Sequence, residues 1–382
     1  MPMPDASLQP ARLNSLDQFR GYTVLGMFVV NFVGSFAVVP AVLKHHNTYC
    51  SYADTIMPQF FFAVGFAYRL TFLRRAAREG KASACRHAVR RSFGLLLVAF
   101  VVHHVDGRYE SWAALRDKGL GGFLATAFQR EFFQTLTHIA VTALWIMPVI
   151  AARPAWRVAW AVGSAVLFYW LSASWYYEWV MRRPGIDGGP LGFLTWTIPT
   201  IAGTLAYDAM APYLAREAIS PGAVATRAPV GRLLAAGALL MLLAYGLSCL
   251  NRVTPPNDRT ESAGVLVEPP FVAPSRPVNI WTMSQRAGSV TYLTFGAGFS
   301  LAVYALFVAA CDVGPFSLGV FRTLGVNALA GYVLHDLVNN AIGPLAPRDS
   351  PGWYVLAMLA LSIGICYLIL RYLEKNRIFL KL

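Results

Sequence analysis

The residues best suited to chemistry lie near the start of the chain, on two apolar segments and the short loop between them: Asn31, His45, His46 and Asp54. A histidine ring titrates close to neutral pH and can take a proton from an attacking hydroxyl or amine. A carboxylate a few residues away can orient that ring through its second nitrogen. The spacing predicts a general base at His45 or His46, oriented by Asp54.

Each of these residues also has a simpler interpretation. A loop histidine is commonly just solvated, Asp54 could be an ordinary helix cap, and a lone amide commonly bonds a neighbouring helix. Asn31 lies about 17 Å along a helix from Arg20, which predicts a position near the middle of a membrane. Polar groups at that depth are costly and often functional. The sequence leaves the structural and the direct role of Asn31 open.

Three further polar residues lie in an apolar stretch near the carboxyl end: Asn327, His335 and Asp336. The last two fall in the outer half of that stretch, where titratable groups are expensive to bury. We predict these three as substrate-binding residues. No histidine, cysteine or carboxylate spacing is typical of a metal site, so no metal is expected.

The composition predicts the fold class. Hydrophobic residues make up 56% of the chain and charged residues 13%, which leaves too little polar surface to cover a water-soluble globule. Apolar runs, each about long enough to cross roughly 30 Å of hydrocarbon as a helix, recur along the chain. We predict an all-α polytopic membrane protein with one domain over residues 1–382. Its ten predicted spans are residues 21–43, 55–73, 92–105, 135–151, 157–174, 192–209, 232–250, 288–310, 323–342 and 352–371.

Lysine and arginine residues predict the orientation, because basic loops stay on the cytoplasmic side of a membrane. Segment 74–91 carries seven basic residues and one glutamate. With this segment inside, about 19 basic residues lie inside and about 12 outside. Both termini are then cytoplasmic, residues 1–20 form a cytoplasmic lead-in, and residues 251–286 form a long external loop.

The net charge and the polar residues also bear on two other classes of function, nucleic-acid binding and transport. The net charge of +13 could attract nucleic acid, but loops beside a bilayer already account for the basic residues, so no nucleic acid partner is expected. A transporter for a small polar solute or sugar would also use polar groups within spans and a helix broken near Pro40. The basic segment 74–91 and the lack of a visible sequence repeat favour an enzyme, with the transporter as the alternative.

The chain also resembles a known family, the transmembrane acetyltransferases typified by heparan-alpha-glucosaminide N-acetyltransferase and its bacterial relatives. The similarity begins at SLDQFRG, residues 15–21, and passes through Asn31 to the AD and PxFxFxxG elements within residues 53–65. It returns at the G-x-N-A element, residues 325–328, and at the His-Asp pair that follows. The middle of the chain matches in hydropathy more than in letters.

The loop histidine of the family falls best on His45, because Lys44 and His45 occupy its Lys-His position. The chain departs from the family nearby. One residue is missing between His45 and Asp54, and a Trp-Asn-Gly element is replaced by Tyr49 and Cys50. These changes affect the acceptor side of the predicted site.

The resemblance implies transfer of an acetyl group from cytoplasmic acetyl-CoA to a sugar or amino sugar beyond the membrane, here a bacterial cytoplasmic membrane. The charged CoA head cannot enter hydrocarbon cheaply and should stay at the basic face. The residues predicted to bind it are Arg20, Asp17, Arg74 and Arg75. The acceptor, N- or O-acetylation, and a monomer or a homodimer remain open.

The same resemblance implies roles at the reacting centre. His45 or His46 removes a proton from the acceptor, and Asn31 donates a hydrogen bond to the thioester carbonyl oxygen as it gains negative charge. Histidine can also act as a nucleophile, so a direct transfer and an acetyl-histidine intermediate both remain open.

Overall fold

The computed structural model describes residues 13–103, 110–127, 132–182, 187–219, 228–253 and 266–380, and every regular element in these ranges is helical. The helices are α1 (Asn14–Val33), α2 (Ile56–Glu79), α3 (Lys81–His103), α4 (Trp112–Ala127), α5 (Thr135–Ile146), α6 (Pro154–Leu171), α7 (Tyr177–Arg182), α8 (Phe193–Ile219), α9 (Val230–Ser248), α10 (Val290–Val308), α11 (Gly319–Val326), α12 (Ala328–Ile342) and α13 (Gly352–Lys375).

Five of the described helices, with the short turns that extend them, are long and apolar enough to cross a membrane: α2, α6 with α7, α9, α10 and α13. The protein is therefore an integral membrane protein. In α2 and α10, 61% of the most apolar stretch is buried, against 22% in α9 and α13. The first two helices are thus central, whereas the others present exposed leucines such as Leu242 and Leu368 to the surroundings. The ten-span count and the orientation stay predictions.

Two predicted boundaries are wrong. Helix α1 ends at Val33 and does not continue to residue 43, because the chain turns there, with Phe36 N donating to Val33 O. Segment 74–91, predicted as a loop, is the end of α2 and the start of α3, interrupted at Gly80 with a φ of +87°. Its alanines and arginines are strong helix formers, and only glycine adopts that φ without strain. The basic residues of this segment therefore lie on helical faces.

The predicted lead-in and long loop are described only in part. Residues 1–12 and 254–265 lie outside the described residues. The part of the long loop that follows is irregular and packs on the histidine loop, residues 44–54, where Phe271 N donates to Cys50 O. Helix α4, which the sequence did not predict, lies between the third and fourth predicted spans and has an exposed surface.

Glycines bring the central helices into close contact. A Cβ on Gly21 of α1 would lie 1.8 Å from the carbonyl oxygen of Phe321 in α11, and a Cβ on Gly65 of α2 would lie 1.9 Å from that of Thr200 in α8. Small residues allow helix backbones to approach closely where lipid offers no hydrophobic driving force for association. These contacts fix α1 and α2, the two helices that flank the histidine loop.

Candidate functional site

The structure brings four of the predicted residues into one hydrogen-bonded group at the end of α1. His45 Nδ1 lies 2.8 Å from Asp54 Oδ1, and His45 Nε2 lies 3.3 Å from Asn31 Oδ1. The other side of the Asn31 amide reaches α12, where its Nδ2 lies 2.9 Å from His335 Nε2. We call these four residues the histidine cluster. His45 and Asn31 are exposed, whereas His335 is 2% exposed, so a solute can reach the first two.

The hydrogen bonds assign protons in the histidine cluster. His335 Nδ1–H donates to the carbonyl oxygen of Tyr332 at 2.5 Å, which leaves Nε2 to accept from Asn31 Nδ2. Asp54 is an acceptor, so His45 carries its proton on Nδ1 and donates a hydrogen bond from it to Asp54 Oδ1. Asn31 then presents its oxygen to His45 Nε2, and that contact becomes a hydrogen bond only when Nε2 carries a proton. The cluster is thus built to accept a proton at His45 Nε2.

Asp54 is held firmly in place. Its side chain is fully buried, and Oδ2 accepts from the main-chain N of Ser51 at 2.8 Å and from Ser51 Oγ at 3.0 Å. The carbonyl oxygen of Asp54 accepts from the Tyr292 hydroxyl at 2.6 Å. A buried carboxylate requires such partners. Asp54 can therefore fix the tautomer and the angle of the His45 ring, a role that the spacing of Ser51 and Asp54 could have indicated.

Of the other predicted residues in this region, Asp336 contacts the histidine cluster, whereas His46 and Asn327 do not. The His46 ring stacks on Tyr49, with centroids 4.4 Å apart, and its Nε2 lies 2.8 Å from Ala41 O. His46 therefore stabilises the loop and does not contact Asp54. Asp336 is half-exposed, with Oδ1 3.2 Å from His335 Nε2. Asn327 lies eight residues before His335, about 12 Å along α12 and away from the cluster. Asn31 lies in the last turn of α1, closer to the helix end than its predicted mid-span position.

Hydrogen bonds join three loops behind His45, an arrangement that the sequence did not predict. The carbonyl oxygen of Asn47 accepts from Ser284 Oγ at 2.7 Å and from Arg286 N at 2.9 Å. The neighbouring Gln285 Nε2 donates to Asp187 Oδ1 at 2.8 Å. Asp187 is fully buried and lies in the described segment that precedes α8. The histidine loop is therefore fixed to two other loops by side chains and main chain.

Asp187 should make stability depend on pH. Burial raises the pKa of this carboxyl to about 7, the Gln285 hydrogen bond and His45 lower it, and Asp54 raises it. Between about pH 4 and pH 7 the unfolded chain loses this proton and the folded protein keeps it. The stabilisation is present below that window and is lost as the pH rises, by about 1.4 kcal/mol per pH unit.

Asp187→Asn, which is neutral throughout, should remove this pH dependence. The midpoint of thermal unfolding in detergent, measured from pH 4 to pH 8, should fall less with pH in the variant than in the wild type. Asp117→Asn on the exposed helix α4 is the control. A constant difference between Asp187→Asn and the wild type at every pH would contradict the prediction.

A large cavity of about 660 Å³ opens at the opposite end of α1. Its basic wall is formed by Arg20 of α1, Arg75 of α2, and His87 and Arg91 of α3. Its other walls are mainly apolar and include Phe60, Leu95, Leu136, Ile139, Leu329 and Tyr332. We call it the basic cavity. A charged rim over an apolar chamber suits a ligand with an anionic head and an uncharged arm.

Two of the four residues predicted for an anionic head line the basic cavity, Arg20 and Arg75. Arg74 is exposed and does not line it, and Asp17 lies in the first turn of α1 outside its lining. His87 and Arg91 were missed because their segment was predicted as a loop. Their spacing of four residues would have placed them on one face of a helix.

The basic cavity and the histidine cluster share helix faces. Arg20 and Asn31 lie three turns apart on the same face of α1, a separation of about 17 Å. On α12, Tyr332 lines the cavity and His335 lies one turn further on. The Tyr332 and His335 rings have centroids 5.6 Å apart. The cavity therefore ends within one helical turn of the histidine cluster.

Comparison of the chain with protein-family models found no match, and comparison with curated proteins found none.

Proposed function

We propose that this protein is a membrane-embedded acetyltransferase that moves an acetyl group from cytoplasmic acetyl-CoA to a sugar or amino sugar on the other side of the membrane. One observation carries the proposal: the basic cavity ends one helical turn from His335, and Asn31 joins His335 to the exposed, carboxylate-paired His45. That arrangement supplies an entrance for an anionic donor at one end and a base accessible to an acceptor at the other.

The charge and the size of the basic cavity favour acetyl-CoA as the donor. Guanidinium groups suit phosphate, so Arg20, Arg75 and Arg91 would hold the CoA phosphates at the cavity rim. A volume of about 660 Å³ falls within the usual range for small-molecule sites. The uncharged arm would extend along the apolar wall to Tyr332. The acetyl thioester would then lie below the histidine cluster.

The proton positions in the histidine cluster favour His45 as the base that acts on the acceptor. His45 Nε2 would take a proton from the acceptor hydroxyl or amine, with Asp54 holding the ring and Asn31 Oδ1 accepting from the new N–H. The acceptor atom would bond the acetyl carbon, and the carbon–sulfur bond would break. The proton on His45 would pass to the leaving thiolate, giving free CoA. The second N–H of the Asn31 amide would point to the thioester oxygen.

Incubation of the purified protein with acetyl-CoA and a panel of amino sugars tests this function. We expect acetyl-CoA to raise the thermal unfolding temperature and at least one sugar to become acetylated. Uptake of an unmodified sugar into reconstituted vesicles, with neither effect, would indicate the transporter and contradict the enzyme.

A further inference from the structure

Asn327, singled out by the sequence, has an unexpected neighbour. It lies between α11 and α12, is 2% exposed, and its Nδ2 donates to the carbonyl oxygen of Ile378 at 3.2 Å. Its side chain makes no capping hydrogen bond to α12. The amide is therefore used to hold the carboxyl-terminal segment, and not to start the helix that follows it.

The segment that Asn327 holds turns back towards the bundle. Helix α13 ends at Lys375, Arg377 adopts a φ of +57°, and Ile378 N donates back to Leu373 O at 2.9 Å. This turn brings Phe379 and Leu380 into the lining of the basic cavity. We call residues 376–380 the tail.

The tail borders the basic cavity without filling it. The open volume of about 660 Å³ exists with Phe379 and Leu380 in place, and Arg20 and Arg91 line the same space. A ligand in this space would lie between the basic residues and the tail. Removing the tail would take away one wall and expose the ligand to solvent.

We propose that the tail is a wall of the donor-binding site and that Asn327 is the residue that positions it. This inference rests on the proposed function and adds a binding element to it. Since docking of the tail and binding of the donor stabilise the same arrangement, each must favour the other by the same factor. Loss of one hydrogen bond of about 1 kcal/mol corresponds to a roughly five-fold weaker tail docking.

Asn327→Ala tests the inference, with Asn376→Ala as a matched control. Asn376 also donates from its side chain to a carbonyl oxygen, that of Tyr372 at 2.9 Å, but it is exposed and does not line the cavity. Limited trypsin treatment of the full-length protein reports on the tail, because Lys375 and Arg377 are exposed. Chains that end at these residues are quantified by mass spectrometry, with and without CoA.

We expect tail cleavage to be about five-fold faster in Asn327→Ala than in the wild type or Asn376→Ala. CoA should slow cleavage in the wild type, and its dissociation constant should rise in Asn327→Ala by at most about five-fold, because only the docked fraction of the tail changes. The transfer rate at saturating acetyl-CoA should stay close to wild type in the control Asn376→Ala, since Asn376 is exposed and does not line the cavity.

Equal cleavage of Asn327→Ala and the wild type would overturn the anchoring role, whatever CoA does. Faster cleavage in Asn327→Ala, with CoA bound but unable to slow tail cleavage in the wild type, would overturn the role of the tail as a wall. Faster cleavage in the variant, with no CoA binding to either protein, would overturn the proposed donor and leave Asn327 as the anchor of the tail.

Discussion

His45→Ala should lower the rate of acetyl transfer by about 10²- to 10⁴-fold, the usual contribution of a general base. The ring is exposed, yet it is held by Asp54 at 2.8 Å and faces Asn31 at 3.3 Å. No other histidine among the described residues is both exposed and paired with a buried carboxylate. The affinity for acetyl-CoA should change little, because His45 does not line the basic cavity. Initial rates at several acetyl-CoA concentrations measure both quantities.

His46→Ala is the matched control for this prediction. The two histidines are adjacent, but His46 bonds the loop carbonyl of Ala41 and stacks on Tyr49. We expect His46→Ala to keep transfer within about ten-fold of wild type, since only loop packing is lost. Loss of transfer in His46→Ala, with His45→Ala still active, would show that the wrong histidine was chosen.

Asp208→Asn should destabilise the protein by about 3 kcal/mol, the lower end of the usual effect of removing one partner of a buried ion pair, because the Asp208 side chain is 25% exposed whereas Arg157 is fully buried. Asp208 of α8 accepts from Arg69 Nε at 2.6 Å and also from Arg157, whose side chain is fully buried. These bonds join α2, α6 and α8, and Arg69 additionally donates to the carbonyl oxygen of Ile150. Without the carboxylate, two guanidinium groups would repel each other inside the bundle.

Thermal unfolding in detergent measures this effect, with Glu178→Gln as the control. Glu178 pairs with Arg182 at 2.7 Å, but both side chains are more than 70% exposed. An exposed pair contributes at most about 1 kcal/mol, so this variant should unfold close to the wild type. Similar unfolding temperatures for Asp208→Asn and Glu178→Gln would mean that the buried charges are compensated in another way.

Part of the candidate site could be predicted from residues that lie close together in the sequence. His45 and Asp54 lie nine residues apart, so a short loop can bring them together, and the structure places them in contact. The contact of Asn31 with His335 joins residues more than 300 positions apart. That contact depends on the packing of α1 against α11 and α12, which apolar periodicity does not encode. A sequence without an alignment gives no direct signal for such a pair.

At the basic end of the molecule, the sequence predicted the charge but not which side chains lie together. Seven basic residues in segment 74–91 predicted a cationic surface that could bind an anionic ligand. Treating the segment as a loop hid which of these side chains share a face. Helix propensity favours helices on both sides of Gly80, and that alternative would have grouped His87 and Arg91 on one face of α3. Asn327 was predicted near the acceptor because its motif precedes His335, whereas eight helical residues carry it about 12 Å away.

We propose that the basic cavity and the histidine cluster are the two ends of one path across the membrane. Reconstituted sealed vesicles test it directly, with acetyl-CoA on one side and an amino sugar on the other. We expect acetylated sugar to accumulate on the side of the sugar, and only when acetyl-CoA faces the basic cavity. Product that forms only when both substrates share one side would contradict the account.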